Sequence, residues 1–252
     1  MTAGAAPLVV RAPTADALAE LAAHRLADAA REAVGARGEF AVALAGGQTP
    51  RAAYERLATA WRDEVPWAHV ALYFGDERCV PPRDERSNFH MVAAALLDHV
   101  PIAPHRVHRM HGELRPEEGA ALYDHSLRAA FGDTASDAAR SPTFDVALLG
   151  VGPDGHTASL FPGGAAVGER HRWAVAVPAP SAVQPHVPRI TLTLPVLCRS
   201  REVWFLCAGA AKRPIVAAIL ADEPAAAAWP AAMVRGAERT IWLVDAEAGG
   251  EP

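Results

Sequence analysis

The sequence predicts an α/β protein with a mostly parallel β-sheet and helices on both faces of that sheet. Short apolar runs alternate with segments of helical periodicity along the chain, which is typical of repeated strand–helix units. The apolar runs are continuous, as expected for strands buried on both faces. Glycine-rich or polar turns follow several of these runs, and parallel sheets bind their ligands at such turns.

The ends of the elements are signalled by individual residues. Thr14 is a typical N-cap and Gly35 a typical helix terminator, so they bound the first predicted helix. Thr49 followed by Pro50 predicts the start of a second helix. With the apolar periodicity, these signals predict helices over residues 14–34, 49–61, 89–99, 115–131 and 212–220, strands over 40–45, 69–74, 144–149, 173–177, 190–194, 203–207 and 241–244, and loops over 75–88 and 132–142.

The composition limits the possible classes of function. The chain has 252 residues, of which 51% are hydrophobic, and this suits one large domain over residues 1–252. A formal net charge of −5 argues against a nucleic-acid partner. Three cysteines without a CxxC spacing, and apolar runs well short of the roughly 20 residues that a membrane span needs, predict a cytoplasmic protein without membrane contact. Lys212 is the only lysine among 24 basic residues, so its ammonium group is singled out for a chemical role.

The turn after the first predicted strand is a candidate anion site. Gly46 and Gly47 allow close approach to a ligand, and they open onto a helix start that contains Thr49. The free N–H groups and the dipole of a helix start favour an anion such as phosphate. Two glycines are equally compatible with a tight turn that binds nothing. The cations that would complete a phosphate site are Arg78, Arg189 and Lys212.

A candidate general base follows a later strand. His156 comes two residues after Asp154, across one glycine, which suits an imidazole with an orienting carboxylate. Asp76, in the turn after residues 69–74, is an alternative orienting group, and the residues leave this choice open. Gly152 and Gly155 are the candidates to donate a backbone N–H to an oxyanion.

Three other kinds of site are weighed and set aside. Residues 150–155 match G-x-G-x-x-G, but no helix opens directly after them and the next predicted strand ends at Pro178 without the acid that holds a ribose. Cys79 follows an arginine but has no identifiable histidine partner for a nucleophilic role. The spaced histidines lack a carboxylate or thiolate ligand in register, so no metal is predicted. These histidines are His105, His108 and His111.

Four segments together resemble the motif set of the 6-phosphogluconolactonases. They are residues 44–50 (LAGGQTP), 75–78 (GDER) with 87–89 (SNF), 150–162 (GVGPDGHTASLFP) and 188–193 (PRITLT). The resemblance spans residues 10–245. It implies the Rossmann-like fold shared with glucosamine-6-phosphate deaminase and ribose-5-phosphate isomerase. It also implies hydrolysis of 6-phospho-D-glucono-1,5-lactone in the oxidative pentose phosphate pathway, without a cofactor or metal, by a monomer or small homo-oligomer.

The related deaminases are the main alternative, and one position separates the two activities. Similar deaminases carry a catalytic glutamate five residues after the histidine, where this chain has Phe161. Phe161 therefore favours the lactonase, in which neutral His156 would activate water while the cationic turn holds the 6-phosphate. A sugar-phosphate sensor without catalytic activity is a further alternative.

Overall fold

Strands and helices alternate through most of the computed structural model, which describes residues 6–132 and 144–250. The strands are β1 (Leu8–Ala12), β2 (Phe40–Leu44), β3 (Val70–Phe74), β4 (Asp76–Arg78), β5 (Val107–His108), β6 (Val146–Leu149), β7 (Ala174–Val177), β8 (Arg189–Leu192), β9 (Glu202–Cys207) and β10 (Arg239–Asp245). The helices are α1 (Ala15–Arg37), α2 (Gln48–Thr59), α3 (Asn88–Ala95), α4 (Pro116–Phe131), α5 (Leu194–Arg199), α6 (Arg213–Leu220), α7 (Pro230–Met233) and α8 (Ala246–Gly249). None of these helices combines the length and the hydrophobicity that crossing a membrane requires.

The larger of the two sheets has the strand order β1-β10-β9-β6-β2-β3-β5, and each of its strand pairs is parallel. This confirms the predicted mostly parallel sheet. Strands β2, β3 and β6 are buried along their whole lengths, which explains their continuous apolar sequences. Because these three strands are neighbours, the turns that follow them meet at one edge of the sheet.

A second, antiparallel sheet of strands β4, β8 and β7 was not predicted. The predicted loop over 75–88 is wrong at its start, because Asp76 pairs with Thr191 and Arg78 with Arg189. A polar triplet such as 76–78 has no strand signal of its own, and only pairing with a distant segment makes it a strand. The pairing places two arginines from distant parts of the chain directly opposite each other.

Several predicted boundaries shift because local hydrogen bonds outweigh the sequence signals. Helix α1 continues past Gly35 and ends at Gly38, which has φ 81° and donates its N–H to the Val34 carbonyl. Helix α2 has Gly47 as its N-cap instead of Thr49, and no side chain caps it. Strand β1 was missed because its apolar run is short, and pairing with β10 stabilises it. Apart from residue 132, the predicted loop over 132–142 lies outside the described residues.

Two buried tyrosines anchor the strand ends from which the site is built. The Tyr54 hydroxyl lies 3.0 Å from both the nitrogen and the carbonyl oxygen of Ala45, the last residue before the glycine turn. The Tyr123 hydroxyl makes the same pair of contacts with Phe74, at 3.0 and 3.1 Å. Strand ends with otherwise unpaired backbone groups are thereby satisfied and fixed in position.

Candidate active site

A cleft of about 420 Å³ lies at the carboxyl ends of β2, β3, β6 and β9. The topology brings loops from widely separated parts of the chain to this one place. Among the residues predicted for the site, Gly46, Gly47, Thr49, Asp76, Arg78, Gly152, His156, Arg189 and Lys212 line the cleft. Asp154 and Gly155 belong to the same loop as His156 but do not line it.

The His156 side chain is held by Asp154. Its Nδ1 lies 2.5 Å from Asp154 Oδ1, and the imidazole is only 15% exposed. With an ionised carboxylate as partner, the Nδ1–H group keeps its proton and donates a hydrogen bond to Asp154, which leaves Nε2 as the basic nitrogen. Of the two candidate orienting groups, Asp154 is therefore the one that contacts the imidazole.

The predicted oxyanion donors Gly152 and Gly155 are a wrong assignment. The Gly152 N–H donates to the His156 carbonyl at 2.8 Å, and the Gly155 N–H donates to the Gly152 carbonyl at 3.0 Å. Both groups are used to close the loop, so neither is available to a ligand. Gly152 is needed for space instead, since a Cβ there would lie 2.0 Å from His156 Nδ1.

Asp76 lines the cleft but contacts residues other than His156. Its Oδ2 accepts a hydrogen bond from Ser159 Oγ at 2.5 Å, and its Oδ1 accepts one from Asn88 Nδ2 at 3.1 Å. Asn88 in turn packs against the glycine turn, where a Cβ on Gly46 would lie 1.9 Å from Asn88 Oδ1. Asn88 and Ser159 were missed as functional residues, although both fall in the quoted motifs, because buried polar residues give no local signal.

The glycine turn brings the start of α2 to the cleft. Gly47 has φ 104°, a conformation that favours glycine, and precedes the first helical residue, Gln48. The first N–H groups of a helix have no partner within the helix, so this turn presents donors to the cleft. Thr49 lies in the first turn and lines the same wall.

Arg189 is the most deeply buried of the three cations, with 2% of its surface exposed. Its Nη2 donates to the carbonyl oxygens of Gln184 and Pro185 at 3.2 and 3.3 Å. Burial lowers the pKa of Arg189, and the Asp76 charge opposes that effect. Its buried Nε has no hydrogen-bond partner among residues 6–132 and 144–250, which leaves one unsatisfied donor on a residue that lines the cleft.

The other two cations approach from opposite sides of the cleft. Arg78 donates through Nη1 to the Arg86 carbonyl at 2.7 Å, and its buried Nε also lacks a partner in the described part of the chain. Lys212 donates through Nζ to the Val151 carbonyl at 2.7 Å, next to the loop of His156. The lone lysine is therefore placed where the sequence predicted it.

Residues 13–242 match the family model described as glucosamine-6-phosphate isomerases/6-phosphogluconolactonase. The chain belongs to this family. A 6-phosphogluconolactonase of Mycobacterium leprae is 42% identical over 91% of this chain and 92% of its own, and one of Streptomyces coelicolor is 40% identical over 93% and 90%. The crystal structure of 6-phosphogluconolactonase from Thermotoga maritima superposes with a TM-score of 0.81 at 30% identity, over 95% of this chain and 99% of its own.

The description of the family also names glucosamine-6-phosphate isomerases, and position 161 is the one expected to distinguish a deaminase from a lactonase. A monomeric glucosamine-6-phosphate deaminase shares the fold, with a TM-score of 0.77 at 21% identity. In this chain the Phe161 ring packs on His156 with 4.8 Å between ring centroids, and Arg189 Cζ lies 5.6 Å from the centroid of the Phe161 ring. At position 161, therefore, an aromatic ring and not a carboxylate lies beside the candidate base.

The histidines and the cysteine that the sequence disfavours as ligands or nucleophile lie in other environments. His108 stacks on Tyr73 at 4.4 Å, and burial lowers the pKa of its imidazole, whereas His111 contacts Glu113 at 3.1 Å. Within the two described ranges, no group of three His, Cys, Asp or Glu side chains is arranged to hold a metal ion. Burial raises the pKa of Cys79 to about 11, which keeps it a thiol instead of the nucleophilic thiolate.

Proposed function

We propose that this protein hydrolyses 6-phospho-D-glucono-1,5-lactone to 6-phospho-D-gluconate, the lactonase step of the oxidative pentose phosphate pathway. The observation that carries the proposal is that His156, held by Asp154, lines the same cleft as three cations and a helix start. A general base next to an anion-binding site suits a phosphorylated substrate with a hydrolysable carbonyl group. The names of the relatives that align over most of the chain support the same activity.

In the proposed mechanism His156 acts as a general base. Its Nε2 removes a proton from a water molecule while the water oxygen bonds to C1 of the lactone. The C1–O5 bond then breaks, and the imidazolium returns the proton to the ring oxygen. Asp154 stabilises the imidazolium and keeps the ring oriented. Proton transfer of this kind contributes roughly 10²–10⁴-fold to the rate.

The polar and charged groups of the cleft would bind the phosphate of the substrate and the oxyanion that forms at C1 during the reaction. The 6-phosphate, with about −1.5 to −2 charges, would contact the N–H groups of the glycine turn, Thr49 and the cations. Because the N–H groups of Gly152, Gly155 and His156 are engaged within the loop, the oxyanion that forms at C1 would be met by a guanidinium. The cations proposed for the phosphate are Arg78, Arg189 and Lys212. Arg189, which also lies beside the Phe161 ring that packs on His156, is the one proposed to meet the oxyanion. Phosphate binding lies away from the reacting bond, so its energy serves to position the ring.

Two assays run side by side test this function. One measures lactone hydrolysis above the spontaneous rate, and the other measures ammonia release from glucosamine 6-phosphate. Lactone hydrolysis without ammonia supports the proposal, ammonia release would replace it with the deaminase activity, and binding without turnover would indicate a sensor. His171→Ala, which removes an exposed histidine, serves as the control for His156→Ala.

We also propose that the protein is a single-domain, cytoplasmic monomer or small homo-oligomer without a nucleic-acid partner. The net charge of −5 and the three free cysteines support this. Light scattering at several protein concentrations would give the oligomeric state, and a shift in DNA or RNA mobility at physiological salt would contradict the proposal.

A further inference from the structure

Glu77 is a buried acid beside the cleft with no part in the mechanism above. Only 2% of the surface of Glu77 is exposed. Strand β4 places Asp76 and Arg78 at the cleft, and neighbouring residues of a strand point to opposite faces. Glu77 therefore points away from the substrate, into the segment that follows β4.

Four donors from both ends of this segment converge on the Glu77 carboxylate. Oε1 accepts from the backbone N–H groups of Arg78 and Asn88, each at 2.7 Å. Oε2 accepts from the N–H of Phe89 at 2.7 Å and from Ser87 Oγ at 3.0 Å. Residues 87–89 are thereby tied back to residue 78 through one side chain. The two ends of the segment between residues 78 and 87 are therefore held close together.

The chemistry of this contact requires a carboxylate. Four donors surround Glu77, and each carboxylate oxygen accepts two hydrogen bonds from them. A carboxylate matches this arrangement because both of its oxygens are acceptors. Two of these donors belong to the start of α3, where N–H groups are free and negative charge is favoured. Burial raises the pKa of Glu77, and the hydrogen bonds from Phe89 and Asn88 are the largest effects opposing it.

We propose that Glu77 is a positioning residue that holds Arg78 and Asn88 in their places at the anion end of the cleft, which is the part formed by the glycine turn and the three cations. Asn88 reaches the glycine turn and donates to the Asp76 carbonyl at 2.9 Å, while Arg78 supplies a cleft guanidinium. Both residues take their backbone position from the same carboxylate. Since Asn88 packs on Gly46, the tie extends to the turn at the start of α2. The proposal rests on the proposed function only in the identity of the substrate.

Glu77→Gln tests the tie, because it keeps the size of the side chain but presents an NH2 donor to groups that are themselves donors. For the lactone we expect KM to rise at least tenfold while kcat changes less than threefold, since the Asp154–His156 pair is untouched. Glu77→Asp keeps the charge and should recover part of the affinity. Glu118→Gln, at an exposed acid, is the control and should leave both constants unchanged. A fall in kcat with an unchanged KM would overturn the proposal.

A double-mutant cycle separates positioning from general loosening of the fold. Inorganic phosphate binding is measured by calorimetry for the wild type, Arg78→Ala, Glu77→Gln and the double variant. If Glu77 acts through Arg78, the double variant should bind phosphate less than threefold more weakly than Glu77→Gln alone. Multiplication of the two single effects would overturn the proposal.

Two further arrangements keep the outcome decisive. Should Glu77→Gln fail to fold, Ser87→Ala is measured in its place, because it removes one of the four donors. We expect KM to rise for this variant too, but by less than for Glu77→Gln. The phosphate cycle does not depend on turnover. Absence of lactone hydrolysis by the wild type would therefore refute the proposed function and still leave the positioning role of Glu77 to be decided by the cycle.

Discussion

The two ends of the cleft are built in different ways. The base end is local, because Asp154 and His156 are two residues apart in one loop that closes on its own hydrogen bonds. The anion end is assembled from four separate segments, which contribute the glycine turn, Arg78, Arg189 and Lys212. The base end is disturbed by substitutions within its own loop, whereas the anion end depends on the packing of elements that are distant in sequence. The difference predicts that turnover and affinity respond to different substitutions.

The largest effect is expected from His156→Ala. Removing the base should lower kcat at least 100-fold, within the range of roughly 10²–10⁴ for general-base catalysis. Binding of the product 6-phosphogluconate, measured by calorimetry, should stay within about threefold of the wild type because the anion end is intact. Turnover close to that of the His171→Ala control would remove His156 from the chemistry.

A matched pair of glycine substitutions tests the separation of the two ends. Gly152→Ala places a Cβ 2.0 Å from His156 Nδ1, and Gly46→Ala places one 1.9 Å from Asn88 Oδ1. We expect Gly152→Ala to lower kcat about 100-fold by displacing the imidazole, as a misplacement of about 1 Å does. Gly46→Ala should mainly raise KM, through the displaced Asn88 and the glycine turn.

Gly35→Ala is the control for this pair, since no atom lies within 4 Å of a Cβ at that position. Because Gly35 lies inside α1, the substitution should raise stability slightly, by about 0.5–1 kcal/mol. If both active-site glycine variants changed kcat and KM to the same extent, the two ends would not be separable.

Lys212→Ala should have an intermediate effect that falls on affinity. A hydrogen bond to a charged group is worth about 1.5–3 kcal/mol, so KM and the Kd for 6-phosphogluconate should rise roughly 10- to 100-fold. At saturating substrate kcat should change little. Raising the ionic strength should weaken binding to the wild type more than to the variant, because the lost contact is electrostatic. An unchanged Kd would show that this lysine does not contact the ligand.

The smallest effect is expected from Phe161→Leu. The ring contact with His156 is worth about 0.5–1.5 kcal/mol, so kcat should fall by roughly two- to tenfold with KM unchanged. Phe89→Leu replaces another partly buried ring, one that packs on Phe74 without touching His156, and serves as the comparison. Equal effects of the two substitutions on kcat would mean that Phe161 contributes only packing.

The strand–helix alternation, the parallel sheet and the loop of the base were predictable from the sequence. Continuous apolar runs report burial on both faces, and Asp154, Gly155 and His156 are close in space because they are adjacent in the chain. The predicted oxyanion donors failed for a related reason. A glycine-rich loop indicates close approach, but not whether the N–H groups point to a ligand or to the loop itself.

What the sequence determined by itself was the type of fold, and it also supplied the candidate base and the candidate cations. Only the tertiary structure decided that Asp76–Arg78 is a strand, that Arg78 faces Arg189 across it, and that Glu77 ties both ends of the following segment together. These contacts join residues that carry no periodic or local signal. Their partners are fixed by strand pairing and by the need to satisfy buried polar groups, which depend on the folded chain as a whole.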